Sequence, residues 1–161
     1  MFKGYLVGFF AMQTSAVPEP LAVLHRIRSV VGRIDTPGLS DEEIVSFLDA
    51  DPLLQMAIEE AAHRHEHMAQ EFPTMYLGSD ETELIHELQD GFVNFYNPAT
   101  VNPYVALAAR GPWIITSHGA VVHDNGGYGM LGAGHGPSQV IQSMADNWVM
   151  ANVCLLYTSP S

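Results

Sequence analysis

Residues Gly111 to Pro137 read GPWIITSHGAVVHDNGGYGMLGAGHGP, and the organisation of the chain follows from how this stretch is taken. Two short β-branched runs, Trp113 to Thr116 and Ala120 to His123, are joined by Ser117-His118-Gly119, a link short enough for a hairpin turn. Gly126, Gly127, Gly129, Gly132, Gly134 and Gly136 crowd the segment that follows. Ordering so many glycines is entropically costly, so they belong where the backbone needs positive φ or must pass close to another group. Pro137 and Ser138 then stand ahead of a helix, Gln139 to Asn147, with Val140, Ile141, Met144 and Trp148 spaced for one face.

The run Gly127-Tyr128-Gly129-Met130-Leu131-Gly132 satisfies the dinucleotide pattern G-x-G-x-x-G, and a strand precedes it. Dinucleotide binding nevertheless fails on geometry. The motif must open the helix whose N-terminus holds the pyrophosphate, yet this helix starts near Ser138 and no βαβ unit surrounds it.

Upstream the pattern is helical. After Pro18 and Pro20, Leu21, Leu24, Ile27, Val30 and Val31 repeat at three and four, up to Gly32 and the Thr36-Pro37-Gly38 stop. His25, Arg26, Arg28 and Arg33 surround that stripe; the arginines are either a small anion site or a solvated face. Ser40-Asp41-Glu42-Glu43 is a capping box for a short helix, Asp41 to Asp49, that should bury Ile44, Phe47 and Leu48. Asp51-Pro52 starts the longest helix, Pro52 to Gln70, with Leu54, Ala57, Ile58, Ala61 and Ala62 on its apolar side. Ser79-Asp80 starts another, with Glu83 in the capping-box position, Leu84, Ile85 and Leu88 as core residues, and Gly91 as its stop. Phe92, Phe95 and Tyr96 form an aromatic patch before Asn97-Pro98 and Asn102-Pro103.

The long helix carries Glu59, Glu60, His63, His65, Glu66 and His67. His63 and His67 are four apart and share a face with Glu59 one turn before, which is how a zinc or nickel site can begin. The pattern is not His-Glu-x-x-His and spacing marks no third ligand, although His86 on the next helix could be brought there. The competing reading is a polar face of alternating charge.

Composition narrows the classes. The hydrophobic fraction of 47% suits a globular domain with a real core. A net charge of −12 with six lysines and arginines leaves no basic face for nucleic acid or an anionic membrane. Cys154 is the single cysteine, so no disulfide or cysteine zinc site can form within the chain. Residues 1 to 16, MFKGYLVGFFAMQTSA, read as a weak secretory signal cleaved after Ala16, as a misplaced start, or as a buried strand or helix; the apolar run is too short to span a bilayer.

The stretch around Gly119, Asp124, Gly127, Gly132, Gly134 and His135 resembles the N-terminal portion of class III, fold-type I, pyridoxal-phosphate-dependent aminotransferases. In that family a small antiparallel hairpin ending in an acidic residue passes through a glycine-rich loop into a G-H-x-x-P step and a helix. Pro137 comes one residue earlier than the commonest spacing, and the loop from Asp124 to Gly132 is shorter. The resemblance covers roughly residues 100 to 153. It implies an α+β fragment: a mostly helical N-terminal extension, then a small antiparallel β-hairpin, a Gly-rich loop and a helix. The expected divisions are 1–19, an N-terminal apolar segment; 20–96, the helical extension; 97–153, the aminotransferase segment; and 154–161, a non-native tail resembling translated adapter sequence.

The same resemblance implies a cytoplasmic homodimer that moves an amino group from a donor amine or amino acid to a 2-oxo acid or aldehyde acceptor, using pyridoxal 5'-phosphate. Gly127, Tyr128, Gly129 and Met130 would line the substrate channel, the side chains of Tyr128 and Met130 reaching the amino-donor pocket. The cofactor requires a lysine for its Schiff base. Lys3 is the only one in the chain and lies far from the motif, so no catalytic residue is assigned, and the chain is expected to be inactive alone. His118 and His123 are expected at the surface or an interface, and His135 is a loop residue serving backbone carbonyls or function. The alternative is a free-standing acidic helical binding or metal-sensing module built on His63, His65 and His67.

Overall fold

A computed structural model describes residues 18–72, 77–91, 97, 103–125 and 132–145. In order, the elements are α1 (Glu19–Arg28), α2 (Asp41–Leu48), α3 (Pro52–Glu71), α4 (Glu81–Gln89), β1 (Ala106–Arg110), β2 (Trp113–Thr116), β3 (Val121–His123) and α5 (Ser138–Ala145). The mixed α+β class read from the sequence is what the described residues form.

Two helix starts follow from their caps as expected. Ser40 Oγ accepts the Glu43 amide at 3.3 Å while Glu43 Oε2 accepts the Ser40 amide at 2.8 Å, the reciprocal pairing of a capping box. Asp51 Oδ1 accepts the Leu53 amide at 2.9 Å, and its second oxygen accepts Trp113 Nε1–H at 2.8 Å. One carboxylate thus starts α3 and orients the first residue of β2.

Other boundaries differ from the sequence reading. α1 stops at Arg28, so Val30 is not on its buried stripe and stands 60% exposed. The Ser29 hydroxyl donates to the Arg26 carbonyl and the Ser29 amide to that of His25, closing the last turn early. The chain then swings so that Gly32 lies against the turn 77–80, its amide bonded to the Ser79 carbonyl at 3.2 Å. A Cβ at Gly32 would sit 2.3 Å from that carbonyl oxygen, so only glycine permits the approach. Asp80 makes no side-chain cap on α4; its carboxylate takes the Arg33 amide instead. Leu88 is more exposed than its core spacing implied, whereas Leu84 and Ile85 are buried. Phe47 is 39% exposed, although its ring rests on Trp113 with centroids 5.0 Å apart.

β1 carries no strand signal in sequence. Ala106-Leu-Ala-Ala-Arg110 favours helix by propensity, and pairing with β2 overrides it. The sheet runs β1-β2-β3 with both pairs antiparallel, and register shifts between Ala106 and Ala108. Between β2 and β3, Gly119 adopts φ +77°, and its amide bonds the Thr116 carbonyl at 2.9 Å. That left-handed turn is the expected hairpin, with β3 beginning at Val121 rather than Ala120.

Helices and sheet share one core. Leu21 and Leu24 of α1, Ile44 of α2, and Leu54, Ala57, Ile58 and Ala61 of α3 pack with Ala108, Trp113, Ile115 and Val121. Spacings of three and four on α3 meet the period of two on β2, which is why this face of each is apolar. α3 therefore lies across β1 and β2, and the residues read as a helical extension bury the same surface as those read as the hairpin. Among the described residues no helix is long and apolar enough to cross a membrane.

Candidate functional site

The turn between β1 and β2 anchors both flanks of the glycine segment. On the near side, the Asp124 amide donates to the Pro112 carbonyl at 2.7 Å. On the far side, Gly111 and His135 exchange backbone hydrogen bonds of 2.9 and 2.7 Å, an isolated antiparallel bridge. His135 Nε2 also meets Asp124 Oδ2 at 2.9 Å, tying the flanks to each other. Arg110 adds a third attachment: Nη1 donates to the Gly136 carbonyl at 3.3 Å, while Nε meets Glu60 of α3 at 2.8 Å.

Glycine is required within this anchorage. Gly134 has φ +71°, and a Cβ there would lie 2.9 Å from the Gly111 Cα. Two backbones therefore meet where no side chain fits. His135, read as a loop residue for backbone carbonyls or function, instead partners a carboxylate through its ring and a strand end through its backbone. His123 stacks its edge against Trp113 at 4.8 Å and bonds Asn125 Oδ1 at 2.6 Å through Nδ1.

His118 is the clearest correction among the histidines. Expected at the surface or an interface, it is wholly buried within the chain, as is Ser117. Its Nε2 donates to the Ser79 carbonyl at 2.9 Å, and Ser117 Oγ lies 2.9 Å from Nδ1. A hydroxyl beside an imidazole held by a third group has the outline of an activated nucleophile. Enclosure of both side chains denies a substrate access, so the pair is part of the packing. No sequence spacing announced it, because two adjacent residues carry no motif.

The histidine run of α3 does not converge. Leu54, Ala57, Ile58, Ala61, His65 and Met68 form one stripe at helical spacing, so His65 turns toward the core while His63 and His67 face outward. The rings of His63 and His67 stack at 4.3 Å, and His67 Nδ1–H is committed to the His63 carbonyl at 2.7 Å. Glu59 holds Gln55 and Glu60 holds Arg110. Among the described residues, no group of three histidine, cysteine, aspartate or glutamate side chains is placed to hold a metal ion.

Of the three arginines around the α1 stripe, Arg28 and Arg33 are likewise engaged. Arg28 reaches Asp41 at 2.8 Å and the Gly119 carbonyl at 3.0 Å. Burial alone would raise the Asp41 carboxyl, but hydrogen bonds from His25 and Arg28 outweigh it and hold the group below its ordinary value. Arg33 pairs with Asp35 and Asp80. The hydrogen bond from Arg33, supported by the Thr82 hydroxyl, holds the Asp35 carboxyl down to about 2. Beside this network the wholly buried Glu81 carboxylate accepts the amides of Asp35 and Thr36 and the Thr36 hydroxyl. These bonds strap the loop 33–36 to the start of α4 and leave Arg28 and Arg33 committed within the protein.

Gly127, Tyr128, Gly129 and Met130, the residues expected to face substrate, lie outside the described residues, as does Lys3. What the structure brings together is their flanks, Asp124 and His135, on the β1–β2 turn. No protein-family model, curated protein or solved structure matches the chain.

Proposed function

We propose that this chain is the front portion of a pyridoxal-phosphate-dependent aminotransferase, which passes an amino group from a donor amine or amino acid to a 2-oxo acid or aldehyde. One observation carries the reading beyond the sequence resemblance. The hairpin runs to Asp124, the described glycines Gly132, Gly134 and Gly136 all hold positive φ (+67°, +71° and +59°), and His135 returns to Asp124 before α5 begins. A glycine segment so tied at both flanks suits a lip that presents residues 127 to 130 to a substrate.

The cofactor itself does not fit this chain. Lys3 is the only lysine in the sequence, and four of the five arginines, Arg28, Arg33, Arg64 and Arg110, each hold a carboxylate partner. No step through pyridoxal phosphate is therefore assigned to these residues. Their part is structural: the β1–β2 turn holds the lip, and the Lys-bearing region of the parent enzyme holds the cofactor. The parent is proposed as a cytoplasmic homodimer. The exposed Val140, Ile141 and Met144 of α5 suit a helix whose apolar face is covered in the larger protein.

The test is to read the source DNA through and past the codon for Val153 and to express the product. Continuation into a frame with an active-site lysine, whose purified product shows aldimine absorbance and transaminates, supports the proposal. A stop after Ser161, or a product that neither binds pyridoxal phosphate nor transaminates, overturns it.

A further inference from the structure

We propose that Asn125 is a self-modifying site: with help from His123, its side-chain amide is lost as ammonia to the backbone nitrogen of the next residue, and a carboxylate takes its place. The sequence singles this asparagine out. Six asparagines are present, and Asn125 alone precedes a glycine. Asn97 and Asn102 precede prolines, which have no N–H to give up. Asn94, Asn147 and Asn152 precede Phe95, Trp148 and Val153, whose side chains crowd the nitrogen that would attack. Glycine puts no Cβ there.

The fold adds a second feature. β3 ends at His123, and its ladder to β2 closes with the Asp124 amide on the Pro112 carbonyl. Asn125 lies just past that bond and is exposed, and among the described residues no backbone hydrogen bond holds it. Its side chain is held: Oδ1 lies 2.6 Å from His123 Nδ1. An amide oxygen only accepts, so Nδ1 carries the hydrogen and donates it. The His123 ring is placed in turn by its T-shaped contact with Trp113, which is 1% exposed. A positioned donor therefore rests on the oxygen that becomes negative when Cγ is attacked, which is how acyl transfer is assisted.

The Gly126 nitrogen gives its proton to hydroxide and bonds to Asn125 Cγ, and the carbonyl electron pair moves onto Oδ1, where His123 stabilises it. The pair returns, the Cγ–Nδ2 bond breaks, and the nitrogen leaves as ammonia with a proton from water. A cyclic imide remains. Water adds to one of its two carbonyls and opens the ring: at Cγ this gives an aspartate, at the backbone carbonyl an isoaspartate whose main chain is longer by a methylene. Amide and water become carboxylate and ammonium, with no change of oxidation state. The new charge stands beside Asp124, on the flank of the glycine segment that Asp124 ties to His135.

The experiment holds the full chain folded at one neutral pH for weeks and follows its peptides by mass, reading exchange of NH2 for OH at Asn125 and separating the aspartate and isoaspartate products. Asn125 should convert ahead of the other asparagines. His123→Phe keeps an aromatic ring beside Trp113 and removes the donor. It should slow conversion about tenfold, less than one donor is worth in a water-excluded site because this one is exposed. Should that variant not fold, His123→Val, β-branched and suited to a strand end, replaces it. An Asn125 that keeps its amide, or conversion no slower without the His123 donor, overturns the proposal.

Discussion

The hairpin and α5 were read from the same kind of signal, a short apolar pattern beside a turn residue, and they meet opposite environments. Every residue from Trp113 to Ala120 is buried, including Thr116, Ser117 and His118. In α5, Val140, Ile141 and Met144 lie on one face, and Ile141 is 53% exposed. The difference teaches that periodicity names the face of an element that gains by being covered. It does not say whether the cover lies within the described residues. For the hairpin the cover is identifiable: α3 across β1 and β2, α1 against Gly119 through Arg28, and Ser79 on His118.

Trp113→Ala against Ile141→Ala puts the widest gap on this comparison. Trp113 is 1% exposed, packs against Phe47 and His123, and donates to the carboxylate that caps α3. Its truncation leaves a cavity and an unpaired Asp51 oxygen, costing about 3–5 kcal/mol. Ile141→Ala should move stability by no more than about 0.5 kcal/mol. Urea unfolding of the two variants measures both. Equal losses would mean that α5 is packed as firmly as the sheet, and the contrast between the regions would collapse.

A finer distinction lies within the glycine segment. Gly132 and Gly134 share a left-handed backbone, at φ +67° and +71°. Their surroundings differ: a Cβ at Gly132 meets nothing within 4 Å, whereas at Gly134 it meets Gly111 at 2.9 Å. Gly132→Ala should therefore cost only the left-handed penalty of about 1–2 kcal/mol. Gly134→Ala should cost more and open the Gly111–His135 bridge, read as lost exchange protection at both amides. Equal effects would mean that the backbone conformation matters and the close approach does not.

These pairs also mark what the sequence could carry. Caps were legible because Ser40-x-x-Glu43 and Asp51-Pro52 act within a few residues, and the α3 stripe because a 3.6-residue period repeats through Leu54, Ala57, Ile58 and Ala61. The hairpin turn was legible for the same reason, since Ser117-His118-Gly119 closes on Thr116. β1 was not, because five residues rich in alanine become a strand only through pairing with Trp113 to Thr116. The course of the chain after α1 was hidden too: Gly32 meets Ser79, which is distant in the chain. At the glycine segment the crowding of glycine was visible, but its anchorage on Gly111 and Arg110 joins residues whose types announce nothing. The burial of His118 was missed for a related reason, since a histidine looks polar until a buried partner is in view.

The smallest expected effect concerns α3, where sequence placed three histidines within five residues and the fold turns His65 away from the stacked rings of His63 and His67. A site filled to about a hundred times its dissociation constant would add about 2.7 kcal/mol to stability. Zinc added to the chain is expected to add none of this and to leave Tm unchanged. The reasons are local: His65 points to the core, His67 Nδ1 is spent on the His63 carbonyl, and Glu59 and Glu60 are held by Gln55 and Arg110. Assembling a site would require breaking the His67 bond and unstacking the two rings, with a third ligand still to be found. Stoichiometric zinc binding that is lost in both His63→Ala and His67→Ala would show that this rearrangement does occur. It would also turn the comparison around, making the outer face of α3 rather than the glycine segment the part of the chain that meets a ligand.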